Sequence, residues 1–396
     1  MIRCAFAGRL PFACLTAALV LSAALAPLLA SRQATAPAPA PAQQAASPRE
    51  RNVILVLVDG LRWQEVFSGA EAALIDKDIG KVDDVESLRA AFWRDTPEAR
   101  REALMPFFWR TIAGKGQLIG NQANGSVARV SNAFNFSYPG YSEMICGFAD
   151  PRIDSNDQKP NPNVSVFEWL NTRPGFKGRV AAFGAWDTVA WIINRERCGF
   201  FVNSGWEPVP DDGSLSERAR LLNELKSQSP RRWTGEPDDA ITFNAALEYL
   251  KRHAPRALWL TFGETDEFAH EGEYDLYLQS AHRTDAMMER LWQTLQSMDQ
   301  YRDNTTLIIA CDHGRGSGLT EWRDHGEKVP ESRFIWIAAI GPDTPATGEA
   351  RGDGDEAHAV LQSQIAATVA AAVGEDYRAA QPRAAEPITG VITPQN

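Results

Sequence analysis

The chain has 396 residues, of which 44% are hydrophobic and 23% are charged, so its composition is that of a globular protein. Its formal net charge of −11 at pH 7 argues against a nucleic-acid partner, because no basic stripe is present to neutralise phosphates. An acidic protein can still bind an anionic substrate where metal ions invert the local field.

Residues 1–30 have the pattern of an export signal. Arg3 and Arg9 supply positive charge, and residues 12–30 are almost wholly apolar. That apolar run is also close to membrane-spanning length, so an uncleaved anchor is an alternative. Residues 31–50 are rich in Ala and Pro and indicate a linker. We therefore expect an exported protein, periplasmic or secreted, that meets a membrane only if the leader is left uncleaved.

Two of the five cysteines, Cys4 and Cys14, fall in the leader. The remaining three, Cys146, Cys198 and Cys311, are an odd number for an oxidising compartment. Two arrangements fit this count. Either Cys146 pairs with Cys198 and Cys311 is buried, or all three are buried thiols.

Short apolar runs alternate with helical stretches along the rest of the chain. Apolar, β-rich runs predict buried strands at 52–58, 179–183, 257–262, 306–311 and 333–340. Apolar periodicity and flanking residues predict helices at 240–253, 274–298 and 357–373. Strands that alternate with helices and are apolar throughout predict an α/β domain whose sheet is covered on both faces.

We expect one large domain over residues 51–375, followed by a C-terminal tail, 376–396. Two segments within the domain have the character of insertions that form a cap or lid, at about 70–112 and 205–238. The second of these is polar and rich in Pro, Asp, Ser and Arg, which is typical of a surface segment.

Acidic and histidine residues follow three of the predicted strands, and one more histidine follows in a second Asp-His-Gly. The six side chains are Asp59, Asp266, His270, Asp312, His313 and His325. In open α/β sheets, ligands bind just beyond the carboxyl ends of the strands. Imidazole and carboxylate together suit zinc better than magnesium or calcium. The sequence therefore predicts a metal site at one edge of the sheet.

Each of these motifs is weak when taken alone. Asp59-Gly60 after a strand is more often a turn. Asp266 and His270, four residues apart, are more often a pair on a helix surface than two metal ligands. The metal site is favoured because three of the six histidines of the chain occur with aspartates at the expected strand ends.

The segment Phe-Ser-Tyr-Pro-Gly-Tyr-Ser-Glu at 136–143 supplies a candidate nucleophile. Pro139 suits the first turn of a helix, which places Ser137 at the helix N-terminus. Free N–H groups and the helix dipole favour an anion there. A plain helix cap is the commoner role for such a serine. Ser142 is a rival hydroxyl, but its place inside the helix makes it less accessible.

In combination, these motifs resemble the alkaline phosphatase superfamily, and most closely its type I phosphodiesterase/nucleotide pyrophosphatase branch. The resemblance covers about residues 50–340 and rests on Asp59-Gly60, Ser137-Tyr138-Pro139, Asp266-x-x-x-His270, Asp312-His313-Gly314 and His325-Gly326. It implies a three-layer α/β/α sandwich with a mostly parallel central sheet. It also implies two Zn²⁺ ions, with another divalent metal such as Mn²⁺ as the alternative.

The resemblance further implies a role for each site residue. One zinc ion is held by Asp266, His270 and His325, and the other by Asp59, Asp312, His313 and the hydroxyl of Ser137. Ser137 attacks the phosphorus of a small-molecule phosphate ester, and water hydrolyses the resulting phosphoseryl intermediate. The choice between monoester and diester is left open, as is the oligomeric state.

The chain departs from the family pattern in two places. Gly140-Tyr141 replaces the family's Asn-His after the proline. The substrate-contacting Asn of the family has three candidates here, Asn156, Asn161 and Asn163, of which Asn156 is our predicted contact. Arg315, beside the Asp-His pair, either touches phosphate or lies in a solvated loop.

Three other functions compete with the phosphoric-ester hydrolase. A sulfatase is disfavoured because Tyr141 stands where the sulfatase pattern has Arg. A phosphoglycerate mutase-like enzyme is disfavoured because it is cytoplasmic. The third is an exported protein that binds metal without turnover. Several aromatic residues could form a wall for a base or aryl group, or be core: Phe134, Phe136, Tyr138, Tyr141, Trp186 and Trp191.

Overall fold

The computed structural model of the protein describes residues 50–211, 213 and 215–393. The predicted export signal and nearly all of the predicted linker lie outside the described residues. Within the described part of the chain, no helix is both long and apolar enough to cross a membrane.

The strands and helices alternate along the chain. The strands are β1 (Asn52–Val58), β2 (Gln117–Ile119), β3 (Ala128–Arg129), β4 (Val180–Gly184), β5 (Phe201–Ser204), β6 (Ala257–Phe262), β7 (Thr305–Cys311), β8 (Ile337–Ile340), β9 (Gly348–Glu349) and β10 (Val360–Leu361). The α-helices are α1 (Trp63–Ser68), α2 (Val85–Phe92), α3 (Pro97–Leu104), α4 (Ala113–Lys115), α5 (Ser137–Cys146), α6 (Val166–Asn171), α7 (Val189–Ile192), α8 (Arg195–Cys198), α9 (Glu217–Gln228), α10 (Asp239–His253), α11 (Glu264–Glu271), α12 (Tyr274–Ser297) and α13 (Gln364–Ala371). A π-helix covers Phe108–Ile112, and 3₁₀ turns cover Ala72–Leu74, Gln122–Asn124, Glu321–Arg323, Pro330–Arg333, Glu356–His358 and Tyr377–Ala379.

The central sheet has the strand order β5-β4-β6-β1-β7-β8-β2-β9 among the described residues. Strands β5, β4, β6, β1 and β7 are parallel, and β8 runs antiparallel to both of its neighbours. The register pairs Val58, at the end of β1, with Phe262 of β6 and with Cys311 of β7. The residues that follow these three strands therefore meet at one edge of the sheet.

Both faces of the sheet are covered by helices. Every residue of β1, β6 and β7 is buried, as expected for parallel strands between two layers. Trp259 and Phe262 of β6 point to opposite faces, because side chains alternate along a strand. Trp259 stacks on Phe167 of α6, and Phe262 packs against Phe243 of α10. The predicted three-layer α/β/α sandwich is confirmed.

Two predicted elements near the C-terminus begin later than expected. Strand β8 covers only 337–340 of the predicted 333–340, because a 3₁₀ turn forms at 330–333. The predicted helix 357–373 begins at Gln364, because Val360–Leu361 pairs as β10 with β3. Tertiary strand pairing overrides local helix preference there.

The segment 70–112, expected to be a cap or lid, packs on the body of the domain. The backbone N–H groups of Phe107 and Phe108 both donate to the carboxylate of Asp285 in α12, at 2.8 Å. The ring of Phe108 also meets Trp336 edge to face, with centroids 5.5 Å apart. These contacts attach the segment to α12 and to the strand β8 region.

The segment 205–238 lies against the helix that carries two candidate metal ligands. The ring of Trp233 packs edge to face on Phe268 of α11 at 5.1 Å, and its indole N–H donates to Glu271 at 2.9 Å. Within the segment, the buried ammonium group of Lys226 donates to the carbonyl of Gly205 at 3.0 Å. The segment is thus in direct contact with α11.

The segment 376–393 is packed against the domain rather than extended from it. Tyr377 donates its hydroxyl to the carbonyl of Val164 at 2.6 Å, and Ile388 and Val391 are buried. The three cysteines outside the leader are all free and buried, so the arrangement with three buried thiols is the one that the structure contains.

Candidate metal centre

The strand ends bring the predicted ligands to one edge of the sheet. Asp59 directly follows β1, and Asp312 and His313 directly follow β7. After β6, a single residue precedes α11, whose first turn carries Asp266. Gly60 has a φ of 61°, and a Cβ at that position would lie 2.4 Å from Asp266 Oδ1. Glycine at this position therefore permits both the left-handed turn and the close approach of the Asp266 carboxylate to the chain that follows β1.

Three polar oxygen atoms and the Nε2 atom of His313 form a first group. That nitrogen lies 3.2 Å from Asp59 Oδ1, 3.3 Å from Asp312 Oδ2 and 3.3 Å from the hydroxyl of Ser137. Tetrahedral zinc ligands at about 2.0–2.2 Å from the ion lie about 3.3 Å from one another. The spacing of this donor set therefore fits one metal ion.

Two carboxylate oxygens in this group have no hydrogen-bond partner among the described residues. Asp59 Oδ1 and Asp312 Oδ2 are buried and accept no hydrogen bond from any described residue. Burial raises the pKa of Asp59 to about 8, and burial together with the neighbouring Asp59 raises the pKa of Asp312 well above its usual range. Buried carboxylate oxygens without partners are costly unless a cation binds them. This observation is independent of the spacing and also indicates a metal site.

The imidazole of His313 is held in the tautomer that a metal ligand needs. Its Nδ1–H donates a hydrogen bond to the carbonyl oxygen of Gly314 at 3.0 Å, which leaves the lone pair on Nε2. Burial lowers the pKa of His313 to about 4, so the ring is neutral at pH 7.

A second group contains Asp266, His270 and His325. His270 Nε2 lies 3.1 Å from Asp266 Oδ2 and 2.9 Å from His325 Nε2. The Nδ1–H of His325 donates to the carbonyl oxygen of Asn135 at 3.1 Å, which leaves the lone pair on Nε2. The rings of His313 and His325 stack with centroids 3.9 Å apart, so the two groups adjoin. The structure thus brings all six predicted ligands together.

The ligand atoms also permit a different division of the second group. Donor atoms of Asp266, His313 and His325 lie within 4.8 Å of one another, as do those of Asp59, Asp312 and His313. His313 therefore borders both metal positions, whereas the family pattern assigns it to one.

Ser137 occupies the first position of α5, as the proline two residues later predicts. The preceding Phe136 is extended, and the helix ends at Gly147, which has a φ of 86°. A Cβ on Gly140 would lie 2.6 Å from the carbonyl oxygen of Asp312, so glycine allows α5 to approach β7 closely. Ser142 is enclosed within the helix and accepts a hydrogen bond from Asn161 at 3.0 Å.

Tyr141 is a site residue that the sequence did not reveal. It lies one turn after Ser137 on the same face of α5 and donates its hydroxyl to Asp59 Oδ2 at 2.9 Å. Burial raises the pKa of Tyr141 well above its usual range, so the phenol keeps its proton. The bond turns the other oxygen of Asp59 toward His313. Gly140 and Tyr141, which depart from the family pattern, thus both contact predicted metal ligands: Gly140 lies close to Asp312, and Tyr141 bonds to Asp59.

We expect Tyr141→Phe to weaken metal binding by about ten- to a hundredfold, as losses of outer-shell partners do. The measurement is competition for metal with a chromophoric chelator, on protein whose fold is checked by circular dichroism. Tyr138→Phe is the matched control, because Tyr138 lies in the same helix but donates to the carbonyl of Lys159. Equal metal affinity in wild type and Tyr141→Phe would show that the hydroxyl does not position Asp59.

The two predicted substrate contacts, Asn156 and Arg315, differ in their surroundings. Asn156 Oδ1 accepts the backbone N–H of Tyr138 at 2.9 Å, next to Ser137, while its Nδ2 donates to no described residue. Arg315 is buried rather than in a solvated loop; its guanidinium forms an ion pair with the Asp266 carboxylate and donates to the Asp266 carbonyl at 2.9 Å.

The other two candidate asparagines have partners elsewhere in the protein. Asn161 bonds to Ser142, and Asn163 donates to Asp150 at 2.8 Å. Among the three candidates, only Asn156 bonds to the residue beside the candidate nucleophile.

Comparison with known proteins gives matches at the level of structure. No protein-family model and no curated protein sequence matches the chain. Alkaline phosphatase PafA is 10% identical and superposes with a TM-score of 0.55 over 88% of this chain and 100% of its own. The lipoteichoic acid synthase LtaP from Listeria monocytogenes is 12% identical, with a TM-score of 0.50 over 83% of this chain and 73% of its own. At these identities the likeness is one of fold.

Proposed function

Because the chain has the fold of the alkaline phosphatase superfamily, we propose that it is a metal-dependent hydrolase of small-molecule phosphoric esters. The carrying observation is the placement of the Ser137 hydroxyl. It lies at the N-terminus of a ten-residue helix, 3.3 Å from His313 Nε2, in a group whose two buried carboxylate oxygens lack partners. The candidate nucleophile, the candidate cation site and a helix N-terminus coincide there, which supports the proposal.

The donor set favours two zinc ions, with Mn²⁺ as an alternative. Asp59, Asp312 and His313 would hold one ion beside Ser137. The other would be held by Asp266, His270 and His325. When bound, the ions lower the pKa of a nearby hydroxyl and neutralise charge on the phosphate.

In this proposal Ser137 Oγ attacks phosphorus, the O–P bond to serine forms, and the bond to the ester oxygen breaks. The departing oxygen leaves as the alcohol, with a proton from solvent that replaces the one lost by the serine hydroxyl. The backbone N–H of Ser137 and the unpartnered Nδ2 of Asn156 hold the phosphoryl oxygens, because the N–H groups of Tyr138 and Gly140 already donate to Asn156 and Phe136. Water then cleaves the phosphoserine and restores the hydroxyl. Arg315 can contact the phosphate only by leaving Asp266, so we assign phosphate contact to Asn156 and orientation of Asp266 to Arg315.

Sulfate ester hydrolysis is the second candidate, and the surroundings of Tyr141 disfavour it. Tyr141 stands where the sulfatase pattern has a cationic side chain. It is buried, and its hydroxyl donates a hydrogen bond to Asp59. Export is a further part of the proposal. It rests on the sequence of residues 1–30 alone.

The test combines metal analysis with turnover of three chromogenic esters: para-nitrophenyl phosphate, bis-para-nitrophenyl phosphate and para-nitrophenyl sulfate. We expect two metal ions per chain and hydrolysis of a phosphate ester in preference to the sulfate. The ratio of the two phosphate esters then separates a monoesterase from a diesterase. Metal-loaded protein that cleaves none of the three would favour a metal-binding protein without turnover.

A further inference from the structure

Glu143 is a fully buried acidic residue of α5 that takes no part in the proposed reaction. Its carboxyl group accepts hydrogen bonds at 2.7–3.1 Å from five donors: the N–H and O–H groups of Ser131, the backbone and side-chain N–H groups of Asn132, and the backbone N–H of Ser363. All five donors are neutral, and four of them are N–H groups that cannot accept. Because buried donors are costly to leave without partners, Glu143 ties two distant segments to α5.

The first of these segments leads to the candidate metal ligand His325. Asn132 donates its side-chain N–H to Glu143 Oε2 at 2.8 Å. Its Oδ1 accepts the backbone N–H groups of Phe134 and Asn135, each at 3.0 Å, which closes a tight loop. Asn135 has a φ of 53°, and its carbonyl oxygen accepts the Nδ1–H of His325 at 3.1 Å. The loop that Glu143 holds thus ends at the atom that orients the imidazole of His325.

The second segment leads to the candidate metal ligand Asp312. Ser363 donates its backbone N–H to Glu143 Oε1 at 3.1 Å. The preceding residue, Gln362, is fully buried, and its side-chain N–H donates to the carbonyl oxygens of Cys311 and Asp312 at 3.0 and 2.6 Å. These carbonyls belong to the end of β7, where the chain leaves the sheet. The two oxygens of one carboxyl group therefore hold the supports of two different candidate ligands.

We propose that Glu143 is a positioning residue that fixes the Ser137 hydroxyl relative to both metal positions. Ser137 and Glu143 belong to the same ten-residue helix, so the nucleophile moves with the carboxyl group. Oε2 acts through Asn132 on His325, and Oε1 acts through Ser363 and Gln362 on Asp312. Glutamine cannot take this place, because one of the two accepting oxygens would become an N–H donor that faces other N–H donors. The inference rests on the proposed metal centre.

Glu143→Gln tests the positioning role, because it keeps the size of the side chain. The measurements are competition for Zn²⁺ with a chromophoric chelator and turnover of the better of the two para-nitrophenyl phosphate esters. We expect zinc to bind about ten- to a hundredfold more weakly at one position at least. We also expect kcat to fall by about tenfold or more, because the nucleophile and the metal ions are no longer aligned.

Glu168→Gln is the matched control for this variant. Glu168 is a buried glutamate of the neighbouring helix α6, and it pairs with Arg197 at 2.7 Å rather than with the supports of the centre. Its replacement should lower the free energy of unfolding while zinc affinity and kcat stay near their wild-type values. A purely structural role of Glu143 would give that same result in Glu143→Gln.

Asn132→Ala isolates the path to His325 and leaves the carboxyl group in place. We expect one of the two zinc ions to bind about ten- to a hundredfold more weakly. In a His325→Ala background, which lacks the ligand at the end of this path, the same substitution should leave the affinity for the remaining zinc ion unchanged. This cycle also decides the inference if Glu143→Gln does not fold.

The outcomes separate this inference from the proposed function. Wild-type zinc affinities and kcat in Glu143→Gln would overturn the inference and leave the hydrolase intact, as would equal losses in Glu168→Gln. A further loss of zinc affinity when Asn132→Ala is added to His325→Ala would overturn the path through His325. If the protein binds zinc but cleaves no phosphate ester, the proposed function fails, and the zinc affinities alone decide the inference. If it binds no metal, both fail.

Discussion

Replacing Ser137 by alanine is expected to lower kcat for phosphate ester hydrolysis by about a thousandfold or more. The physical reason is that the other groups of the centre bind and orient the phosphate but offer no hydroxyl at the position of attack. Metal content should stay near the wild-type value, because both sets of carboxylate and imidazole donors remain. The measurement is steady-state turnover together with metal analysis of the same preparations.

Ser142→Ala is the matched control for this variant. It removes a hydroxyl from the same helix, five residues further on, that bonds to Asn161 rather than to the centre. Its kcat should remain within a few-fold of wild type. Full activity in Ser137→Ala would show that Ser137 is not the nucleophile, and an equal loss of activity in Ser142→Ala would assign the loss to disruption of the helix.

Metal removal is expected to make stability depend on pH in a defined direction. The folded-state pKa of Asp59 is about 8 against an ordinary value near 4, so the fold favours the protonated carboxyl. The folded state then binds more protons than the unfolded state, and stability falls as pH rises toward 8. His313, with a folded-state pKa of about 4, contributes the opposite slope, but only below about pH 6.5.

The window in which the Asp59 slope is tested is pH 6.5 to 8, where Glu267 and Asp285, whose pKa values burial raises to about 7, add loss of the same sign. Across it, we expect metal-free protein to lose about 2 kcal/mol of unfolding free energy through Asp59, with Asp312 adding loss of the same sign. Urea unfolding after chelation measures this. The unfolding free energy of metal-loaded protein should change less across this window, because bound metal ions take the place of the protons on Asp59 and Asp312.

Asp59→Asn tests whether this carboxylate is the cause. The amide oxygen can still accept a hydrogen bond from Tyr141, but the buried charge is gone, so the metal-free variant should be the more stable protein at pH 8. It should also bind metal more weakly than wild type. Asp299→Asn, on the surface, should match wild type in both respects. If the unfolding free energy of metal-free wild type does not depend on pH in this window, the buried Asp59 carboxylate is not an unbalanced charge, and this account of the centre is contradicted.

Much of the fold was predictable because buried parallel strands leave a strong pattern. The runs at 52–58, 257–262 and 306–311 are apolar at nearly every position, and the expectation that their carboxyl ends share one sheet edge follows from that pattern. The convergence of Asp59, Asp266 and Asp312 was therefore visible in the sequence. Their role as metal ligands stays a prediction.

What the sequence could not supply are contacts between distant segments. Tyr141 reaches Asp59 across 82 positions, and no local pattern marks a phenol for such a bond. Arg315 forms an ion pair with Asp266, 49 positions away, whereas the sequence offered only a phosphate contact or a place in a solvated loop.

The β10 strand shows the same limit within the fold. Val360 and Leu361 are compatible with the helix predicted for 357–373, and only their pairing with Ala128 and Arg129 makes them a strand. Where a local preference for helix conflicts with tertiary strand pairing over a few residues, the strand pairing determines the structure.

The most direct test of the central claim is to trap the phosphorylated enzyme. Metal-loaded protein would be mixed with a phosphate ester, quenched in acid within the first turnover and digested for peptide mass spectrometry. The account predicts one phosphoryl group on the peptide that contains Ser137, located on Ser137 itself and absent from Ser137→Ala. Turnover without any phosphorylated peptide, or with the phosphoryl group on another residue, would contradict it.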